Sequence, residues 1–218
     1  MEEVVKEILK EKIIVIVRGV DRPRLLKFAE ALYRGGIRLM EVTYTEDKPE
    51  TDKDTAETVR ALAEQMRGRM QVGAGTVTRR EQVDLTRAAG GTFIISPDTN
   101  PDVIAYTKKQ GLVSIPGALT PTEIALAHRS GADFVKLFPV SAFGAAYVKA
   151  VKAPLSGVRL LAVGGVCAEN LLSYAAAGVS GFGIGFTSGI ATKAEIERCD
   201  LDSVTEKARE LVTLVKGG

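Results

Sequence analysis

A lysine surrounded by apolar residues is the strongest chemical signal in this sequence. Lys136 lies in the segment DFVKLFP over residues 133–139, and in a β-strand its side chain would share one face with Phe134 and Phe138. A lysine that loses its hydration holds its proton less tightly, so its amine can attack a carbonyl group. The segment therefore indicates a Schiff-base nucleophile. A lysine that protects a strand edge, or extends its ammonium group into solvent, explains the same pattern equally well.

A carboxylate is the second candidate for chemistry. Glu41 follows the apolar residues Leu39 and Met40 at the end of a predicted strand, a setting that suits a carboxyl group with a raised pKa and a role in proton transfer. Taken alone, Glu41 fits a solvated surface acid equally well, because most carboxylates are surface charges.

The elements that must position these groups alternate regularly along the chain. Strands are predicted from eight short apolar runs, at residues 13–17, 37–42, 70–74, 92–95, 112–115, 133–137, 158–162 and 181–184. Helices are predicted from apolar stripes of helical period, at residues 1–12, 22–33, 55–66, 81–89, 101–109, 121–128, 145–151, 169–176 and 201–215. Glycines at 35, 90, 111, 131 and 178 are expected to end helices in the left-handed conformation.

Eight strand–helix repeats predict an α/β protein, a single (β/α)8 TIM barrel over residues 1–218 with a short N-terminal helix. A doubly wound open sheet is the alternative, but no G-x-G-x-x-G follows the first strand. In a barrel the reacting groups lie at the C-terminal ends of the strands. Lys136, Glu41, Arg18, Thr43 and the GAGT segment at 73–76 all lie at such ends, so we expect them to converge.

Composition narrows the classes of partner. The chain has 29 basic and 27 acidic residues and no dense basic cluster interleaved with aromatics, so no nucleic-acid partner is expected. The N-terminal helix is amphipathic and neither a signal sequence nor a membrane span, so no membrane partner is expected. Two cysteines, Cys167 and Cys199, favour a reducing cytoplasm over a disulfide framework. The only histidine, His128, has no second ligand nearby in sequence, so no metal site is predicted.

Several segments together resemble one known family, the class I 2-keto-3-deoxy-6-phosphogluconate (KDPG) aldolases, which also include 4-hydroxy-2-oxoglutarate aldolases. The matching segments, in family order, are IVR at 16–18, EVT at 41–43, GAGTV at 73–77, ISP at 95–97, IPG at 115–117, FVKLFP at 134–139 and GGV at 164–166. The resemblance implies cleavage of a keto acid to pyruvate and an aldehyde, with Lys136 as the Schiff-base former and Glu41 as the proton carrier. It implies no metal or organic cofactor.

The resemblance also implies the substrate-binding residues. Thr76 would hydrogen-bond the carboxylate of the keto acid, while the backbone of Gly164 and Gly165 would hold a distal phosphate, with Arg18 adding charge there. The full predicted binding set is Arg18, Thr43, Thr76, Pro97, Phe138, Gly164, Gly165 and Gly185. A homotrimer that acts in the Entner-Doudoroff pathway is the assembly and metabolic setting that the resemblance suggests.

The chain departs from the family pattern in three places, and two other functions stay open. Thr45 replaces a substrate-anchoring arginine, the segment 45–54 carries five acids, and Phe186 falls where relatives have a phosphate-binding serine. Phe186 predicts weaker selection for a phosphorylated substrate, unless Thr187 or Ser188 takes over through a shifted turn. The alternatives are a phosphate-binding barrel isomerase or synthase in which Lys136 stays non-covalent, and a catalytically impaired relative that only binds a keto acid or phosphosugar.

Overall fold

Short parallel strands form one continuous sheet in this computed structural model, which describes residues 1–217. The strands are β1 (Ile13–Val17), β2 (Leu39–Thr43), β3 (Gln71–Gly75), β4 (Phe93–Ile95), β5 (Val113–Ile115), β6 (Gly117–Ala118), β7 (Val135–Leu137), β8 (Leu160–Val163) and β9 (Gly181–Gly185). Their order in the sheet is β5-β4-β3-β2-β1-β9-β8-β7-β6. Every predicted strand is present.

A single proline explains why nine strands replace the predicted eight. Pro116 separates β5, which pairs with β4, from β6, which pairs with β7. Proline has no backbone N–H and therefore interrupts a strand ladder. Its carbonyl still accepts a hydrogen bond of 2.8 Å from the Lys136 N–H. The fifth predicted strand is thus one kinked strand that closes the sheet, and the predicted (β/α)8 barrel is confirmed.

Helices connect the strands and surround the barrel. They are α1 (Glu2–Glu11), α2 (Arg22–Arg34), α3 (Asp52–Gln65), α4 (Arg80–Ala88), α5 (Pro101–Lys109), α6 (Pro121–Arg129), α7 (Gly144–Lys152), α8 (Ala168–Ala176), α9 (Lys193–Arg198) and α10 (Leu201–Gly217). All predicted helices are present, whereas α9 was not predicted because it has only six residues. Within residues 1–217, no helix combines the length and apolar character that a membrane crossing requires.

One glycine prediction was wrong in an informative way. Four of the five glycines expected at helix ends have positive φ, but after α2 the left-handed residue is Gly36, with φ of 99°, and Gly35 is right-handed. Gly35 is needed for packing instead, because a Cβ at this position would lie 2.7 Å from the carbonyl oxygen of Thr205 in α10. Its small size lets α2 and α10 approach closely.

The N-terminal end of the barrel is closed by α1. Val4 and Ile8 of this helix are buried in one apolar cluster with Ile14, Phe93 and Phe134, whose side chains fill the barrel interior. Burial of these apolar surfaces stabilises the closed end, at roughly 25 cal/mol per Å². Since apolar side chains fill this end, we look for the polar reacting groups at the opposite end of the barrel, where the strands reach their C-termini.

Candidate active site

A cavity of about 330 Å³ opens at the C-terminal ends of the strands. It is lined by Ile16, Arg18, Glu41, Thr76, Pro97, Lys136, Phe138, Val163, Gly164, Gly165, Gly183, Gly185, Thr187 and Ser188. Nine of the ten predicted site residues are in this set; Thr43, at the end of β2, is not. A larger cavity of about 500 Å³ lies at the other end of the barrel, beside Glu7 and Arg67, and none of the predicted site residues lines it.

Lys136 is buried in the middle of the barrel wall. It is 9% exposed and lies in β7, which pairs with β6 on one side and β8 on the other, so the edge-strand interpretation is wrong. Burial is the main cause that lowers the pKa of Lys136; the Glu41 carboxylate opposes this effect and the Arg18 charge adds to it. Its Nζ lies 4.7 Å from the centroid of the Phe138 ring. These surroundings favour the neutral, nucleophilic amine.

Glu41 is a buried acid without a hydrogen-bond partner on one oxygen. It is 1% exposed, and its Oε2 has no partner among the described residues. The carboxylate lies against Gly75, where any side chain would overlap it. Burial raises the pKa of Glu41 to about 7, although the charges of Lys136 and Arg18 act in the opposite direction. Such a group can both donate and accept a proton near neutral pH.

Arg18 is turned toward Thr76. Its Nη2 donates a hydrogen bond of 2.8 Å to Thr76 Oγ1, and Thr76 has φ of 56°, a rare conformation for a β-branched residue. The guanidinium therefore lies on the β3 side of the cavity, and the role of Arg18 at a distal phosphate stays a prediction. Arg18 thus supplies a positive charge beside Thr76 that also acts on Glu41.

The other end of the cavity is lined by backbone and hydroxyl groups. Gly164 and Gly165 have φ of 92° and 74°, values that favour glycine and let the backbone face the cavity closely. Thr187 and Ser188 line the same end. Successive backbone amides in such turns form anion-binding concavities.

Phe186 does not line the cavity. It is fully buried, and its ring centroid lies 5.0 Å from that of Phe28 in α2. A π-helical turn over Phe186–Ile190 places Ser188, two residues later, at the cavity. Thr187 and Ser188 thus bring hydroxyl groups to this end of the cavity, and their role in place of the family serine stays a prediction.

The acidic segment 45–54 does not present all its acids to the cavity mouth. Asp52 folds inward and accepts a hydrogen bond of 2.6 Å from Arg79, while Asp54 pairs with Arg22. Two of the five acids are thereby neutralised by arginines.

Tyr44, which precedes the segment, is fully buried and its hydroxyl lies 3.1 Å from Thr86 Oγ1.

Three apolar or small lining residues were missed from sequence: Ile16, Val163 and Gly183. Strand periodicity could have found them, because Ile16 and Arg18 are two residues apart, as are Gly183 and Gly185, and residues at this spacing share a strand face. Val163 immediately precedes Gly164 at the end of β8.

The site combines the groups that imine chemistry needs. Lys136 can attack a ketone, Glu41 can carry a proton, and Arg18 can hold an anion. Among residues 1–217, no group of three or more His, Cys, Asp or Glu side chains could hold a metal ion.

Comparison with known proteins identifies the family. The sequence profile of the KDPG and KHG aldolases matches residues 4–207. The chain is 34% identical over 177 residues to the 2-dehydro-3-deoxy-6-phosphogalactonate aldolase of Escherichia coli, covering 81% of this chain and 83% of that one. It is 38% identical over 149 residues to the 2-dehydro-3-deoxy-phosphogluconate aldolase of Treponema pallidum, covering 68% of each.

The fold comparison agrees with the sequence match. A KDPG aldolase from Legionella pneumophila, solved with pyruvate captured as a covalent carbinolamine, superposes with a TM-score of 0.80 at 27% identity, covering 91% of this chain and 93% of that one. The chain therefore belongs to the KDPG and KHG aldolase family and is a class I, Schiff-base-forming carbon–carbon lyase.

Proposed function

We propose that this protein cleaves a 2-keto-3-deoxy-6-phospho sugar acid to pyruvate and a phosphorylated aldehyde, with Lys136 as the nucleophile. The single observation that carries this proposal is the placement of the buried Lys136 amine and the buried Glu41 carboxyl group in one cavity with a hydroxyl-lined distal end. An isomerase, or a relative that only binds, would need no amine with a lowered pKa.

The chemistry assigns one role to each buried group. The Lys136 amine adds to the C2 ketone, and loss of water from the carbinolamine gives a cationic imine. Glu41 takes the proton of the C4 hydroxyl as the C3–C4 bond breaks, and the electron pair of that bond moves into the imine to form an enamine. The aldehyde leaves, C3 receives a proton, and water releases pyruvate from Lys136.

Arg18 and Thr76 would hold the C1 carboxylate. Their mutual hydrogen bond of 2.8 Å fixes both side chains beside Glu41, on the wall of the cavity that Lys136 also lines. A positioned guanidinium is a strong partner for a carboxylate. Arg18 would thus do the work of the family arginine that Thr45 replaces.

The distal phosphate would lie against Gly164, Gly165 and Ser188. We expect Ser188→Ala to lower kcat/KM for a phosphorylated keto acid by roughly 10-fold to 10²-fold, since a hydrogen bond to a charged group is lost. An unphosphorylated analogue should be cleaved at an unchanged rate. Steady-state pyruvate release with both substrates measures the difference, and Ser173→Ala, outside the cavity on α8, is the matched control. An equal loss for both substrates would remove Ser188 from the phosphate site.

A substrate panel tests the proposal as a whole. The panel contains both C4 epimers of the phosphorylated keto acid, since named relatives act on each, together with 4-hydroxy-2-oxoglutarate and unphosphorylated analogues. We expect a phosphorylated six-carbon acid to give the highest kcat/KM for pyruvate release. Highest activity with 4-hydroxy-2-oxoglutarate would favour the second activity of the family, and no pyruvate from any member would reject cleavage.

We further propose a cytoplasmic homotrimer that serves the Entner-Doudoroff pathway. Two large apolar side chains, Phe143 and Leu172, are 49% and 47% exposed on neighbouring parts of the barrel surface, before α7 and in α8. Burial of both side chains between subunits would favour assembly. Both cysteines are unpaired, which suits a reducing compartment. Light scattering in solution measures the assembly.

A further inference from the structure

The loop that carries Thr76 is supported by a buried polar network outside the cavity. We propose that Gln82, oriented by Asp52, is a positioning residue that holds the Thr76–Arg18 pair in its binding geometry. The proposal rests on the proposed function, in which this pair binds the carboxylate of the keto acid. Gln82 lies in α4 and contacts none of the reacting groups, so it would act through the loop between β3 and α4.

The amide group of Gln82 has a single favourable orientation. Gln82 is fully buried; its Oε1 accepts a hydrogen bond of 3.0 Å from the Thr78 N–H, and its Nε2 donates one of 3.2 Å to Asp52 Oδ1. An ionised carboxylate only accepts hydrogen bonds, so the nitrogen of Gln82 must face Asp52 and the oxygen must face Thr78. Arg79 holds the other oxygen of Asp52 at 2.6 Å. The network therefore presents a fixed acceptor to the Thr78 N–H.

Thr76 needs such support because its own backbone conformation is unfavourable. A β-branched residue with φ of 56° persists only where its surroundings hold it in place. On one side of Thr76, the Tyr44 N–H donates to the Gly75 carbonyl at 2.8 Å. On the other side, the Val77 N–H donates to Ile95 at 3.2 Å, and the Thr78 N–H donates to Gln82. Loss of the Gln82 acceptor would leave a loop amide unpaired and let the loop relax.

Relaxation of this loop would reach the reacting groups through Arg18. Thr76 Oγ1 is the acceptor that holds the Arg18 guanidinium, and the Arg18 charge lowers the pKa of both Glu41 and Lys136. A displaced guanidinium would bind the carboxylate less well and would let both pKa values rise. The network should therefore affect substrate affinity and pH dependence together.

Gln82→Met tests this inference, because methionine keeps much of the volume and removes the acceptor. We expect a rise in KM and a fall in kcat/KM of roughly 10-fold to 10²-fold, the cost of misplacing a binding group by about 1 Å. The pH profile of pyruvate trapping by borohydride should move to higher pH. Asp52→Asn frees the Gln82 amide to turn, so it should change KM and the pH profile in the same direction but by less. This variant tests the inference if Gln82→Met does not fold.

Tyr44→Phe is the matched control. It removes a buried hydroxyl that bonds Thr86 and the Gln82 carbonyl in the same network, but it leaves the side-chain bond to Thr78 intact. Tyr44→Phe should lower stability without changing KM or the pH profile. In the double variant Asp52→Asn with Gln82→Glu, the side chain at position 52 becomes the donor and the side chain at position 82 becomes the acceptor. The Thr78 N–H keeps its acceptor, so KM should return toward the wild-type value.

The outcomes separate this inference from the proposed function. Wild-type trapping at Lys136 and cleavage of the keto acid are measured first, and their absence would reject the proposed function itself. If the wild type is active but Gln82→Met and Asp52→Asn leave KM and the pH profile unchanged, or shift them no more than Tyr44→Phe does, the positioning role is wrong.

Discussion

Lys136→Met is expected to abolish covalent capture of pyruvate and to reduce cleavage by about 10⁴-fold or more, since within residues 1–217 no other lysine lines the cavity. Methionine keeps much of the apolar volume and lacks the amine, so the barrel should still fold. Stability should not fall, because the site already disfavours a charged amine: burial lowers the pKa of Lys136. The free energy of unfolding from urea titration, compared with the wild type, shows whether the lost activity reflects lost chemistry or lost folding.

Mass spectrometry locates the covalent bond. After treatment of the wild type with pyruvate and borohydride, one adduct should appear on the peptide that contains Lys136. Lys152→Met is the matched control, since burial also lowers the pKa of Lys152 but this residue lies outside the cavity, at the end of α7. Its adduct should equal that of the wild type. An adduct on another lysine would reassign the nucleophile.

The fold was predictable because its signals are local and repeated. Each apolar run is bounded by a helical pattern, and the order of such units along the chain leaves few topologies. What the sequence did not reveal were local exceptions: Pro116 divides the fifth strand, and the six-residue α9 is too short to show a helical period. Hydrophobic periodicity is judged over a window of about ten or more residues, so a single proline or a six-residue helix does not change it enough to be seen.

The site was predictable where an ionisable residue lies at the C-terminal end of a predicted strand, as Lys136 and Glu41 do. It was less predictable where tertiary contacts decide the direction of a side chain. The guanidinium of Arg18 turns toward Thr76, and the π-helical turn buries Phe186 and brings Ser188 to the cavity. Neither contact has a sequence pattern of its own, because each joins segments that are brought together only by closure of the barrel.

Glu41→Gln is expected to slow cleavage by roughly 10² to 10⁴-fold, the usual effect of removing a positioned proton carrier. Trapping of pyruvate should survive better than turnover, because the amine of Lys136 remains. The rate is measured as kcat for pyruvate release, and Glu50→Gln, an exposed acid of the segment 45–54, is the matched control and should be unchanged. A near-normal kcat in Glu41→Gln would assign proton transfer to another group or to water.

The same substitution should change how stability depends on pH. Burial raises the pKa of Glu41 from 4.5 to about 7 in the folded state, so between these values the folded protein binds more protons at this position than the unfolded chain. Stability from Glu41 is therefore greatest below pH 4.5 and is lost as the pH rises through about 7, by an amount on the order of 3 kcal/mol. Glutamine does not ionise, so Glu41→Gln should be more stable than the wild type at pH 8, whereas the two proteins should differ little in stability at pH 5.

Urea unfolding of both proteins at the two pH values measures this difference. An equal change at pH 5 and pH 8 would show that the Glu41 carboxyl group is not the buried, neutral acid from which its role as proton carrier is inferred.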